Sequence, residues 1–284
     1  MRFPEQALEL RSADLIVALK AAEAAGLAIR EAYGEHHPSD VVKGFGDVAL
    51  AVDAQADSIL HAVLRDLAPT DRVLSEESPA DDVLDTSGRR WVVDPLDSTT
   101  SMKFAAGPHY CSVLIGLQVD GLTTVGVGYF PLTGEWFYAV RGGGAYKDGR
   151  GIRSNGAIYD IGEAIVDMNH QPADRETQFF AALWKSLRTS GTGAFRVTSH
   201  FPHSGIALRI AEGAPWVAAA IHDNCAVKIK QAAWDTVAPS LILEEAGGVY
   251  WNDRGQPYDP WHPSPILAAC NETIGRRIIA LASG

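Results

Sequence analysis

Cysteine and methionine are scarce, three of each in 284 residues. Cys111, Cys225 and Cys270 are far apart, odd in number and in no CxxC spacing. That excludes a disulfide framework and a structural zinc site, and makes a reducing, cytoplasmic setting the expectation. Long apolar runs are missing too. The longest, around Val217 to Ile221, is strand-sized, against the roughly 18 residues of a membrane span. The opening Met1-Arg2-Phe3-Pro4-Glu5 turns acidic without the apolar region of a signal peptide. Positive charge is in deficit: 24 Lys and Arg against 35 Asp and Glu, net −11. Wholesale binding to nucleic acid or to an anionic membrane is thereby disfavoured. Gly142-Gly143-Gly144 lacks the lysine and hydroxyl of a Walker loop, so it reads as a turn. What remains is ordinary globular composition, 46% hydrophobic and 21% charged, in a chain long enough for one large core.

Periodicity divides the chain near residues 150 to 160. Glu5 to Tyr33 and Val48 to Leu67 have helical spacing, the second ended by Pro69. Arg72 to Leu74, Trp91 to Val93, Cys111 to Val119, Thr123 to Tyr129 and Glu135 to Val140 read as strands separated by turn signals, an antiparallel meander. After Ile158 strands alternate with helices. Strands are expected at 164–168, 195–198, 217–221 and 266–269, and helices at 175–188, 204–211, 234–246 and 274–282. The expectation is a single catalytic domain over 1–284, with an α+β part to about 155 and an α/β part over 156–284.

Carboxylates are concentrated where a surface role is awkward. In Trp91-Val92-Val93-Asp94-Pro95-Leu96-Asp97-Ser98-Thr99-Thr100 an apolar strand runs into two acids three residues apart, followed by hydroxyl residues of the kind that start a helix. Pro95 keeps Asp94 out of the helical region. Two carboxylates flanking the Leu96 carbonyl repel unless protonated or neutralised, and hard oxygen donors suit Mg²⁺. A helix opening there would aim N–H groups at an anion. Ser75-Glu76-Glu77 follows another apolar strand, Trp234-Asp235 opens a helix with Pro239 near its first turn, and Asp47 and Asp53 bracket the start of the second helix. Read singly, each is equally a turn or a cap.

Together they resemble the inositol monophosphatase family, whose signatures are D-x-x-T-x-x-D after a basic residue, G/S-E-E, W-x-x-D-P-[IL]-D-G-T, and W-D before a helix ending E-A-G-G. The matching stretches are Lys43 with Asp47 to Asp53, Ser75-Glu76-Glu77, Trp91 to Thr100, Trp234-Asp235 and Glu245-Ala246-Gly247-Gly248. The resemblance implies a layered α-β-α-β-α fold and a Mg²⁺-dependent, lithium-sensitive phosphomonoesterase acting on a small phosphorylated metabolite, as a homodimer. Two or three Mg²⁺ ions would be held by Glu76, Asp94, the Leu96 carbonyl, Asp97 and Asp235. Thr99 with Asp53, beside Glu76, would orient and deprotonate the attacking water, whose pKa the metals lower. Asp97, Ser98 and Thr99 would line the phosphate.

The chain departs from the family pattern in places. Ser98 stands at the usual Gly, which costs on the order of 1–2 kcal/mol if its φ is positive. Leu50 replaces a Thr. Lys228 falls where inositol-specific members have an acid; with Lys230 it would suit a second anionic group. His203 and Arg196 are further substrate-pocket candidates. The substrate expected is a phosphorylated polyol or sugar. The alternatives are a 3′(2′),5′-bisphosphate nucleotidase, a sugar bisphosphatase or a histidinol-phosphatase, and, in another class, a non-catalytic anion-binding scaffold.

Overall fold

The computed structural model describes residues 3–33, 41–44, 47–49, 51–78, 84–103, 111–169, 177–189, 191, 193–199, 202–215, 217–222, 229–262 and 264–283. Leu50 and Lys228 lie outside them.

The helical N-terminal stretch is two pieces. A 3₁₀ turn over Glu5–Leu10 ends at Arg11, and α1 (Ala13–Ala32) starts under a Ser12 cap whose hydroxyl accepts from the Leu15 N–H. The second expected helix is shorter than its periodicity suggests. Asp47–Ala49 is β2, paired antiparallel with β1 (Val41–Gly44), and α2 begins at Ala51 and runs to Leu67.

The meander is there, and longer. β3 (Arg72–Ser75) lies parallel to β4 (Arg89–Asp97). Antiparallel β5 (Ser112–Val119), β6 (Leu122–Phe130), β7 (Glu135–Val140), β8 (Ala145–Lys147) and β9 (Arg150–Ile152) follow in order, making seven strands. Pro95 does not end β4. The register shifts between Asp94 and Asp97, so one extra residue is taken up as a bulge. β4 and β5 are buried on both faces, because helices cover both sides of the sheet. Their near-continuous Val, Ile and Leu runs follow from that burial.

The second half gives a five-stranded sheet in the order β11-β10-β12-β14-β13. Its strands are β10 (Ile165–Asn169), β11 (Arg196–Thr198), β12 (Ala219–His222), β13 (Val249–Asn252) and β14 (Ile266–Ala269). β11, β10 and β12 are parallel, while β14 and β13 run antiparallel. The helices are α3 (Thr99–Lys103), α4 (Gln178–Leu187), α5 (His203–Ala211), α6 (Ile229–Glu245) and α7 (Glu272–Ser283). α1 and α2 cover one face of the seven-stranded sheet. α5 and α6 lie between the sheets, and α4 and α7 pack together beyond the second. That is the expected α-β-α-β-α layering. One apolar cluster joins Leu114, Phe130 and Phe137 of the first sheet to Leu208 of α5, Ile242 of α6 and Ile221 of the second, so the halves share a core.

Two features differ from the sequence reading. β13 was not expected, although Val249-Tyr250-Trp251 is β-prone and bounded by turn signals. α6 starts five residues before Trp234, which puts Pro239 inside the helix. Having no N–H, Pro239 leaves the carbonyl of Asp235 without its i+4 donor.

Candidate active site

Three chain segments bring their acids to one place. β4 ends in the bulge that carries Asp94 and Asp97. β3, its parallel neighbour, ends at Ser75, and the next residue, Glu76, donates its N–H to the Val93 carbonyl at 3.3 Å. Behind that turn, Ser75 and Ser78 hydroxyls donate to the two oxygens of Asp57 at 2.5 and 3.2 Å, tying the segment to α2. Asp235 comes from α6, which is seated on β3 and β4 by a small apolar cluster of Leu74, Val92, Ala233, Trp234, Val237 and Trp261.

Ligand atoms of Glu76, Asp94 and Asp235 all lie within 4.8 Å of one another. Asp94 is 1% exposed. Burial pushes its carboxyl well above the ordinary range, and the charges of Glu76, Asp97 and Asp235 push the same way. Asp235 is raised by burial and by the charges of Glu76 and Asp97, against the lowering effect of its hydrogen bond with Asp94. A carboxylate set of this kind is expensive to keep ionised by itself, and the donors are all oxygen. It fits a hard divalent cation.

The other predicted residues are placed as follows. Asp97 is buried beside this group, but its Oδ2 accepts from the hydroxyls of Ser112 at 2.9 Å and Ser204 at 2.5 Å. Burial lifts its pKa to about 6 against the lowering effect of those bonds and of the Ser98 N–H. The Ser98 N–H is therefore engaged by Asp97. Ser98 has φ +70°, and its hydroxyl bonds that of Ser101 at 2.6 Å. The Thr99 hydroxyl lies 3.4 Å from Asp53 Oδ1 and 3.2 Å from the Leu96 carbonyl, with one proton for two acceptors. Asp53 is buried in the first turn of α2.

His203, the first residue of α5, is buried one position before Ser204. Its ring lies 5.5 Å from that of His222 and 5.9 Å from that of Tyr250. His203 Nε2, His222 Nδ1 and the Tyr250 hydroxyl are all buried with no hydrogen-bond partner among the described residues. Burial drives both histidines down, His222 to about 4, and raises Tyr250, on which the charges of Asp235 and Asp97 also act. Sequence reasoning missed His222 and Tyr250. The available signal for His222 was a polar residue closing the apolar Val217 to Ile221 run; Tyr250, inside a β-prone stretch, carried none.

Lys230 falls in the first turn of α6. Arg196 is a candidate that the structure places elsewhere. It is exposed at the start of β11 opposite Ile165, whereas His222 lies opposite Asn169, at the other end of β10.

Two mixed sheets with helices between and outside them, and buried acids meeting where β3, β4 and α6 converge, define a class: the phosphomonoester hydrolases of layered α/β fold. A family model described as the inositol monophosphatase family matches residues 11–283. The chain belongs to that family. It is 32% identical over 271 residues to an inositol-1-monophosphatase of Mesorhizobium japonicum, covering 95% of this chain and 96% of that one. It is 29% identical to a histidinol-phosphatase of Chlorobaculum parvum, covering 94% and 95%, and 30% identical to a Nus factor SuhB of Pasteurella multocida, covering 85% of each. Among solved structures, the extragenic suppressor protein suhB of Bartonella henselae superposes with a TM-score of 0.81 at 25% identity, over 95% of this chain and 98% of that one.

Proposed function

We propose that the chain hydrolyses the monophosphate of a small polyol or sugar by attack of water at phosphorus, with magnesium as its resident cation. The observation that carries this reading is the meeting of Glu76, Asp94 and Asp235 within 4.8 Å, around a fully buried Asp94, where like charges repel unless a cation neutralises them. With the Leu96 carbonyl and Asp97 beside them, these residues would hold two or three ions. When bound, such ions neutralise phosphate charge and bring the pKa of water towards neutrality.

The chain's own groups supply position and proton transfer. The Thr99 oxygen, its proton directed at Asp53, keeps lone pairs to orient the attacking water and relay a proton to Asp53. Asp97, Ser98 and Thr99 flank the phosphate. His203, His222 and Tyr250 face the leaving group. Kept neutral by burial, they offer donors and acceptors suited to hydroxyls, and no positive charge for a second phosphate. That favours a polyol over a bisphosphate, the reading that rests on Lys228 and Lys230. As in the family resemblance, we place the enzyme in the cytoplasm as a lithium-sensitive homodimer.

Phosphate release from inositol, sugar, nucleotide and amino-alcohol phosphates at fixed Mg²⁺ tests this. Polyol or sugar monophosphates should lead, and His222→Ala should raise KM about tenfold or more with a smaller change in kcat, the pattern of lost substrate binding. Preference for a bisphosphate that Lys228→Ala removes would replace the polyol reading. Preference for histidinol phosphate, the reading favoured by the Chlorobaculum parvum relative, would do the same. Inertness towards every ester would leave the scaffold reading.

A further inference from the structure

At the far end of the second sheet a separate cleft of about 590 Å³ has three arginines, Arg188, Arg196 and Arg277, among its lining residues. They come from three elements: the C-terminal cap of α4, the first residue of β11 and the middle of α7. Among the described residues none of the three pairs with a carboxylate. Arg188 lies over the Trp184 ring, 5.1 Å from its centroid. The one acid in the lining, Asp160, turns an oxygen back to the Gly162 N–H at 2.9 Å. Phe195, also in the lining, is 71% exposed. In a chain of net charge −11, three unneutralised arginines gathered round one concavity are a local reversal of sign.

The strand register separates this cleft from the acids. Arg196 lies opposite Ile165 and His222 opposite Asn169, four residues along β10, or about 13 Å at the rise of a strand. His222 stands at the acid end, through His203 and Ser204 to Asp97. Arg196 stands at the other.

We propose that this cleft is a second anion site, which takes a nucleoside polyphosphate. Guanidinium forks match phosphate oxygens bidentately and hold their charge at any working pH. The volume suits a ligand of nucleotide size, and the exposed Phe195 ring offers the base a stacking face.

Calorimetric titration of the full-length, metal-free protein with ADP tests the site. Without metal, the acid cluster repels anions, so binding reports the arginine cleft. ADP should bind once per chain, with affinity falling as salt rises. Arg196→Gln with Arg277→Gln should weaken it at least tenfold. Phe195→Ala should weaken ADP several-fold and leave inorganic pyrophosphate unchanged. Absence of binding at millimolar ADP, or affinity unaltered in the double variant, overturns the proposal. Equal losses of ADP and pyrophosphate in Phe195→Ala overturn the base-stacking part. None of these readouts depends on turnover, so they stand or fall apart from the phosphatase reading.

Discussion

Ser98 shows how a single residue records a compromise. At φ +70° it occupies a conformation that L side chains adopt only at a cost, in the turn between Asp97 and Thr99. Its hydroxyl recovers part of that through Ser101. Ser98→Gly should therefore raise stability by about 0.5–1 kcal/mol, less than the full left-handed penalty because glycine also gains entropy in the unfolded chain. Urea denaturation checks the sign, and a lower midpoint would mean the hydroxyl bond outweighs the strain. Residues of this kind were legible because a motif fixes their neighbours. Asp94, Asp97 and Glu76 could be read as strand-end acids from apolar runs that stop at them. His222 and Tyr250 could not, because their significance lies in each standing beside His203 across elements. Arg196 failed for the same reason: sequence proximity to His203 says nothing about which end of a strand a side chain occupies.

At the scale of elements, the position of Asp235 depends on how closely α6 can lie on the first sheet. Gly116 and Gly126 make that approach possible. A Cβ on Gly126 would meet the Ala238 carbonyl at 2.8 Å, and one on Gly116 would overlap the Val237 side chain. Neither backbone nor buried valine can yield without moving the helix. Gly126→Ala should cost on the order of 1–3 kcal/mol by overpacking, and should lower kcat because Asp235 moves with α6. A parallel drop in urea midpoint and in kcat is the expected result; stability lost with kcat intact would detach helix position from catalysis. Periodicity located the longer elements, misjudged some ends and missed the short strands β1, β2, β8, β9 and β13. The start of α2 moved because Asp47 to Ala49 pair with β1, and a hairpin partner is invisible to helical spacing. α6 begins earlier than Trp234 and contains Pro239, because packing against five strands of the first sheet, β4 to β8, holds the helix together around the proline.

At the scale of the whole molecule, the first sheet is fastened to α5, the helix between the sheets, by charge as well as through the shared core. Glu135 on β7 accepts from Arg209 of α5 at 2.7 and 2.8 Å and lies 2.8 Å from Lys147 of β8, while Glu212 completes the group. The cations beside it, outweighing its partial burial, hold the Glu135 carboxyl well below the usual range. A carboxyl depressed on folding contributes stability above its unfolded pKa and loses it as pH falls towards the folded value. The contribution should be complete above about pH 5 and fade on acidification, starting from the ordinary Glu value near 4.3. Discounted for solvent, it is on the order of 1 kcal/mol. Glu135→Gln should thus be less stable than the parent at pH 7, and the gap should narrow steadily as pH falls from about 5 to 3. Urea midpoints across that range check it, and a constant gap would assign the loss to packing. The layered architecture was legible through the family resemblance, beside a change of rhythm near residue 155. The interlocking of the two cores was not, since Leu114 and Ile221 meet only through tertiary packing.

The account rests on Glu76, Asp94 and Asp235 acting as one cradle for divalent cations, and calorimetric titration with Mg²⁺ tests that most directly. The parent chain should bind Mg²⁺ with a measurable affinity. Asp94→Asn should bind at least tenfold more weakly while unfolding at a higher urea concentration without metal, because one of three repelling charges is gone. A parent that takes up no Mg²⁺, or a variant that binds it equally well, would contradict the account.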